Sequence, residues 1–307
     1  PYLSNINGLI SSGQIKDFID ACELTFNENI HECAKTIMEK DEIKIVLIAG
    51  PSSSGKTTTC KRLSSYLKAQ GFDPIQLSTD DYFVDKVKTP KNDKGEYDFE
   101  CLRAIKLEEF NSDLNDLING KEIYLPVYNF TEGKGIRSNK KVKLKNNSII
   151  LIEGLHCLND DLTPNVDNRY KYKIYLSPFI PLNIDPHNYI STLDLRLLRR
   201  ILRDFRTRGM SVDATIKTWQ SVRDGEEKYI FPYIHQADVI INTALPYELN
   251  VLKVFVEPLL YSVTYESNYY AEARRLIEFL KRFYPVTSEY VSSSSILREF
   301  IGWKGDF

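Results

Sequence analysis

IVLIAGPSSSGKTT, residues 45–58, joins an unbroken apolar run, Ile45 to Ala49, to the loop Gly50-Pro51-Ser52-Ser53-Ser54-Gly55-Lys56-Thr57. The loop satisfies G-x-x-x-x-G-K-[ST] in full, a pattern that chance composition produces in about one chain in a hundred of this length. Its surroundings sharpen the reading. A strand-like run precedes it, and a segment with apolar residues at Cys60, Leu63 and Leu67 follows at helical spacing. A strand, a glycine-rich loop and a helix N-terminus in that order aim successive backbone N–H groups at one anion. Gly50, Ser52, Ser53, Ser54, Gly55, Lys56, Thr57 and Thr58 are therefore the candidate residues for the phosphates of ATP. Lys56 is expected on the β- and γ-phosphates and Thr57 on Mg²⁺.

Four more β-rich runs follow this one: Pro74 to Ser78, Ser148 to Ile152, Lys171 to Leu176 and Asp238 to Asn242. Most are continuous rather than alternating in apolar character, as a parallel sheet covered on both faces requires. The predicted fold is an α/β P-loop sandwich with a mostly parallel five-stranded sheet and helices on both faces. Residues 121–145 have a different texture, with alternating Ile123, Leu125 and Val127, a turn at Gly133 to Gly135, then Val142 and Leu144. That pattern predicts a small projecting β-hairpin. Residues 1–42 read as a helical lead-in, 43–260 as the phosphate-binding domain, and 261–307 as a helical C-terminal extension with a last helix at Ile296 to Phe300. The opening at Pro1, without Met or signal-like segment, suggests a piece of something longer.

Composition excludes several classes. Lys plus Arg number 40 against 42 for Asp plus Glu, so no global field exists to grip nucleic acid or anionic lipid, and any anion site is local. The apolar runs are far short of a spanning helix. Five scattered cysteines, Cys22, Cys33, Cys60, Cys101 and Cys157, form no C-x-x-C pair and fit a reducing cytoplasm better than a disulfide or zinc framework. Neither a membrane nor a nucleic-acid partner is expected, and assembly into a homo-oligomer is left open.

Phosphoryl transfer to a hydroxyl needs carboxylates for the metal and a base for the proton. Asp80 and Asp81 stand just beyond the second run, at the strand end where parallel sheets bind ligands. Asp80 is the candidate base and a further metal candidate; its alternative is to cap a helix starting near Tyr82. Glu153 ends the third run as a Walker-B-like residue for Mg²⁺. Between Thr192 and Arg208, Arg196, Arg199, Arg200 and Arg203 share one helical face, while Leu195, Leu198, Leu202 and Phe205 occupy another. With Arg206, Arg208 and a hinge-like Gly209, this suits a lid over phosphates at about 196–212, since only Asp194 and Asp204 are in view as pairing partners.

Taken together, GPSSSGKTT (50–58), STDDYF (78–83), YDFE (97–100), PVYNF (126–130), IEGLH (152–156), RLLRRILRDFRTRG (196–209) and ADVIIN (237–242) resemble the phosphoribulokinase and uridine kinase family. YELNVLK (247–253), VEPLL (256–260) and ILREFIG (296–302) look more narrowly like its long-form members, in which a TGS domain precedes the kinase. The resemblance implies an ATP- and Mg²⁺-dependent kinase acting on the 5′-hydroxyl of a pyrimidine nucleoside, uridine first. It implies Asp80 as base, Thr57 and Glu153 around Mg²⁺, and Asp98 on the ribose hydroxyls. Tyr128 and Phe130 would border the base, Arg200 would meet the acceptor, and Arg203 and Arg208 would meet ATP phosphates. Where uridine-cytidine kinases carry a base-reading histidine five positions after the hairpin tyrosine, this chain has Gly133. Two other readings stand beside this one: a kinase of another small hydroxylated metabolite, and a nucleotide-gated, RNA-associated module without transferase activity. A regulatory GTPase is disfavoured, because no N-K-x-D segment exists.

Overall fold

The computed structural model describes residues 2–92 and 95–302. Pro1 and the last five residues of the expected C-terminal extension lie outside the described residues. Two helices open the chain, α1 (Leu3–Ser11) and α2 (Ile15–Met38). Strand β1 (Ile45–Ala49) leads through the glycine-rich loop into α3 (Lys56–Ala69) and then β2 (Asp73–Ser78). Next come α4 (Leu107–Ile118), the hairpin strands β3 (Ile123–Asn129) and β4 (Lys134–Val142), β5 (Ser148–Glu153) and β6 (Lys171–Ser177). The arginine-rich α5 (Thr192–Arg208), α6 (Val212–Tyr229), β7 (Val239–Asn242), α7 (Glu248–Tyr261), α8 (Tyr270–Leu280) and the short α9 (Arg298–Ile301) complete the order.

The main sheet runs β2-β5-β1-β6-β7 with every neighbouring pair parallel. Residue alternation explains why its central strand is apolar throughout. Val46 and Ile48 of β1 point into a core shared with α2, α3, α5, α7 and α8, whereas Ile45, Leu47 and Ala49 point into a second core with α4 and the segments beside it. The C-terminal helices are not a loose appendage. Leu276, Ile277, Leu280, Phe283, Ile296, Leu297 and Phe300 are buried in the same cluster as Phe26, Ile30 and Leu198.

Strand β1 is central, and the chain crosses from β5 on one side of it to β6 on the other. Loops at the carboxyl ends of the strands therefore part above β1, the position where such sheets hold ligands. The hairpin turn is Phe130 to Gly133 rather than Gly133 to Gly135; Gly135 lies within β4, paired with Tyr128. Directly beyond β2 the chain makes a four-residue 3₁₀ turn, Thr79–Tyr82, so no long helix starts at Tyr82 for Asp80 to cap.

Candidate active site

The glycine-rich loop is shaped by what cannot fit. A side chain at Gly50 would put its Cβ 2.5 Å from Ser54 Oγ and 3.1 Å from Leu176 Cβ, and Gly55 has φ of 85°, in the left-handed region. Ser53 also takes a positive φ, 60°, unusual for a residue with a side chain. Lys56 folds back over the loop, donating from Nζ to the carbonyls of Gly50 (2.9 Å) and Pro51 (3.2 Å). The next residue turns the other way, and Thr57 Oγ1 donates to Glu153 Oε1 at 3.0 Å.

Strand register sets up that meeting. Glu153 pairs with Ser78 of β2 on one side and Ile48 of β1 on the other, so three strand ends converge there. Gly154 is packed against Thr79 so closely that an added Cβ would lie 1.9 Å from Thr79 Oγ1. Asp80 follows directly. Its charge reaches Glu153, Glu100, His156 and Arg208. Burial first and the Asp80 carboxylate second push the Glu153 carboxyl up to about 7, against the pull of Lys56 and the Thr57 hydroxyl. The neighbouring Asp81 is used differently. Its Oδ1 accepts the backbone N–H of Tyr128 at 3.2 Å and ties the hairpin to the sheet.

The arginine face, expected as a lid over phosphates, finds partners on other elements. Arg196 pairs with Glu226 and donates from Nε to Ser52 O (3.1 Å), while Glu226 also accepts the Ser52 N–H (3.0 Å). Arg199, fully buried, binds Glu248, Ser53 O (3.2 Å) and Thr243 O (2.8 Å). Arg200 donates to Ser52 Oγ at 2.7 Å. The reading that only Asp194 and Asp204 could pair with these arginines is thus corrected, because tertiary packing brings Glu226 and Glu248 to them. Asp194 instead takes Arg275, and Asp204 gathers Arg200 (3.2 Å), Arg203 (3.0 Å) and Arg208 (3.3 Å). Gly209, at φ 62°, closes the helix as a left-handed cap.

The residues expected around the acceptor fall into two groups. Tyr128 is buried, edge-on to Phe83 and Phe130, and the half-exposed Phe130 carries the Arg208 guanidinium 4.8 Å above its ring. Burial and the nearby Arg203 lower Arg208 to about 10, which Asp204 partly offsets. Asp98 sits across the crevice, accepting from Tyr229 OH (3.0 Å) and from the Glu100 N–H (3.1 Å). His156 Nε2 lies 2.9 Å from Glu100 O, and burial lowers that imidazole to about 4. At the base-reading position, Gly133 has φ of 67°, and a Cβ there would stand 2.7 Å from Lys86 Cβ. A side chain at that position requires Lys86 to shift and takes a backbone conformation that L residues rarely adopt.

Sequence reasoning missed Glu100, Glu226, Glu248 and Tyr229. Glu100 belongs to the crevice: burial, Glu226 and Asp80 push its carboxyl up to about 7 while Arg200 and Lys56 oppose them. Its position inside YDFE was the one available signal. Glu226 and Glu248 had none, since each meets its arginine only through packing. Thr58, expected at the phosphates, donates from Oγ1 to Glu299 Oε2 at 2.7 Å.

A uridine kinase of Lactobacillus helveticus is 30% identical over 200 residues, 64% of this chain and 85% of that protein. A uridine kinase of Anoxybacillus flavithermus is 27% identical over 198 residues, covering 64% and 84%. A solved structure of a possible uridine kinase from Bacillus stearothermophilus overlaps 70% of this chain and 98% of its own, at 21% identity and a TM-score of 0.47. The family model for phosphoribulokinase and uridine kinase matches residues 45–248, from the first residue of β1 to the glutamate that holds Arg199. That span takes in the cradle, both strand-end acids and the arginine helix, and the chain accordingly belongs to the phosphoribulokinase/uridine kinase family, as a nucleotide-binding phosphotransferase with an alcohol acceptor.

Proposed function

We propose that the protein transfers the γ-phosphoryl group of ATP to the 5′-hydroxyl of a pyrimidine nucleoside, with uridine the leading acceptor. One observation carries the reading: Thr57 and Glu153 meet at 3.0 Å at the edge of the cradle, and Glu153 feels both Lys56 and Asp80. That the loop, the metal-type ligands and the candidate base lie within electrostatic reach of one another supports their acting on one bound pair of nucleotide and acceptor. In this reading Asp80 accepts the proton of the acceptor hydroxyl, Lys56 leaves its loop carbonyls for the β- and γ-phosphates, and Asp98, braced by Tyr229, orients the ribose hydroxyls. Phe130 and Tyr128 border the base. Arg200 faces the acceptor, while Arg203 and Arg208, grouped by Asp204, meet phosphate oxygens.

A hydroxyl and a carboxylate are the hard oxygen donors that Mg²⁺ takes, with phosphate and water oxygens filling its other positions, so Thr57 and Glu153 fit that ion. Held there, Mg²⁺ would offset negative charge on the transferring phosphates. Five cysteines without a disulfide among them accord with a reducing cytoplasm.

The test is a panel of acceptors with labelled ATP: uridine, cytidine, purine nucleosides, and small hydroxylated metabolites. Labelled uridine or cytidine monophosphate as the preferred product is the expected result. A second reading, another small hydroxylated acceptor, draws on Gly133, whose conformation and contact with Lys86 disfavour the base-reading histidine. Turnover of such a metabolite with every nucleoside refused would replace the nucleoside assignment by this one.

A further inference from the structure

The N-terminal turn of α3 is short of negative charge. No acid lies within it, and Gly55, at its N-cap, offers no side chain to its N–H groups. Besides Glu153 on Thr57, a second carboxylate comes to it from 241 residues further along the chain: Glu299 Oε2 accepts from Thr58 Oγ1 at 2.7 Å. An anion held at a helix N-terminus is what a nucleotide phosphate supplies in a loop of this type. Glu299 thus stands beside the ground that the phosphates need.

The segment bearing Glu299 is fastened to the cradle from several sides. Ile296 packs onto Gly55, its Cδ1 2.3 Å from where a Cβ would stand. Arg62 of α3 binds Ser294 O and pairs with Glu23 at 3.6 Å. The Phe300 ring lies 4.9 Å from the guanidinium of Arg199, which itself holds Ser53 O. Arg206 of α5 donates to Phe300 O at 3.3 Å. One stretch of chain therefore touches the loop, the first turn of α3 and the arginine helix together.

We infer that residues 292–302 act as a resident competitor of the nucleotide phosphates: Glu299, on Thr58, must leave that hydroxyl when a phosphorylated nucleotide enters, so that this carboxylate lowers nucleotide affinity. The inference rests on the reading of the cradle as an ATP site. Two like charges about 8 Å apart in a medium of effective dielectric about 20, partly screened, shift binding by on the order of tenfold.

The experiment is calorimetric titration of the wild type, Glu299→Gln and Glu299→Ala with ATP, ADP and adenosine, at low and high salt. Both variants should bind ATP and ADP about tenfold more tightly than the wild type, bind adenosine equally, and lose part of the gain at high salt. In parallel, hydrogen exchange on the wild type should show residues 292–302 exchanging faster with ATP than without. Wild-type binding of ATP with unchanged affinity in both variants, or slower exchange of the segment on ATP addition, overturns this inference alone. Failure of the wild type to bind ATP overturns the reading of the cradle and the inference with it.

Discussion

Replacing Gly154 with alanine tests whether the separation of Glu153 and Asp80 is what the fold protects. The new Cβ would lie 1.9 Å from Thr79 Oγ1, 2.8 Å from its Cγ2 and 2.9 Å from its Cβ. Rotation can carry the hydroxyl away, but not the Cβ, so the Thr79–Tyr82 turn must withdraw by roughly 1 Å to reach ordinary contact distances. Overpacking of this kind costs about 1–3 kcal/mol of stability. A misplacement of about 1 Å in a positioned catalytic group costs on the order of 10²-fold in rate, or about 2.7 kcal/mol of barrier. In the double variant Gly154→Ala/Thr79→Ala only the 2.9 Å approach remains, and a shift of about 0.6 Å relieves it. Steady-state ADP release, thermal unfolding and ATP titration should be measured on both. The single variant should fold, bind ATP within a few-fold of wild type and lose roughly 10² in kcat, with the double recovering part of that loss. Full activity in Gly154→Ala, or a double variant no better than the single, would show that the turn carrying Asp80 does not depend on this contact.

Three further expectations follow from the same geometry. Asp80→Asn should lower kcat by about 10²- to 10⁴-fold while ATP affinity is retained, and turnover equal to wild type would remove Asp80 as the base. Arg199→Met leaves Glu248 buried without its partner and two carbonyls without a donor, which should cost about 3–5 kcal/mol in urea unfolding; a loss under about 1 kcal/mol would mean water reaches that pair. His156, lowered by burial to about 4 from an ordinary 6.5, takes up its proton in the unfolded chain first. Its stability contribution is therefore complete above pH 6.5 and declines as pH falls toward 4, by up to roughly 3 kcal/mol. The unfolding free energy of His156→Gln should fall correspondingly less across that window, and parallel pH curves for the two proteins would contradict the buried neutral imidazole.

Much of the site was readable because its parts are local. The cradle is eight consecutive residues between a strand and a helix, and Glu153 ends a strand whose partners are equally apolar. The same logic proposed Asp80 over its neighbour Asp81 as the base, and the contact that sets the two apart, Asp81 accepting the Tyr128 N–H, is one that adjacent strand-end carboxylates do not reveal in sequence. The arginine helix shows the opposite limit. A strip of guanidinium groups reads as solvated or phosphate-facing, and only packing reveals that Arg196 and Arg199 are consumed by Glu226 and Glu248, 30 and 49 positions away. Buried charge of that kind has to find a partner wherever the fold can provide one, and nothing in the local pattern says where.

By itself, then, the sequence determined the continuous parallel sheet, the loop that follows its central strand and the chemistry that loop performs. Each of these depends on neighbours along the chain: hydrophobic period, glycine at forced turns, and backbone N–H groups aimed by a helix start. The tertiary structure alone decided which acids neutralise the arginines, which of two aspartates is tied to the hairpin, that a side chain at Gly133 would crowd Lys86, and that Glu299 comes to rest on Thr58. Those outcomes depend on the meeting of segments far apart in the chain, where burial makes an unpaired charge or an extra carbon too costly to keep.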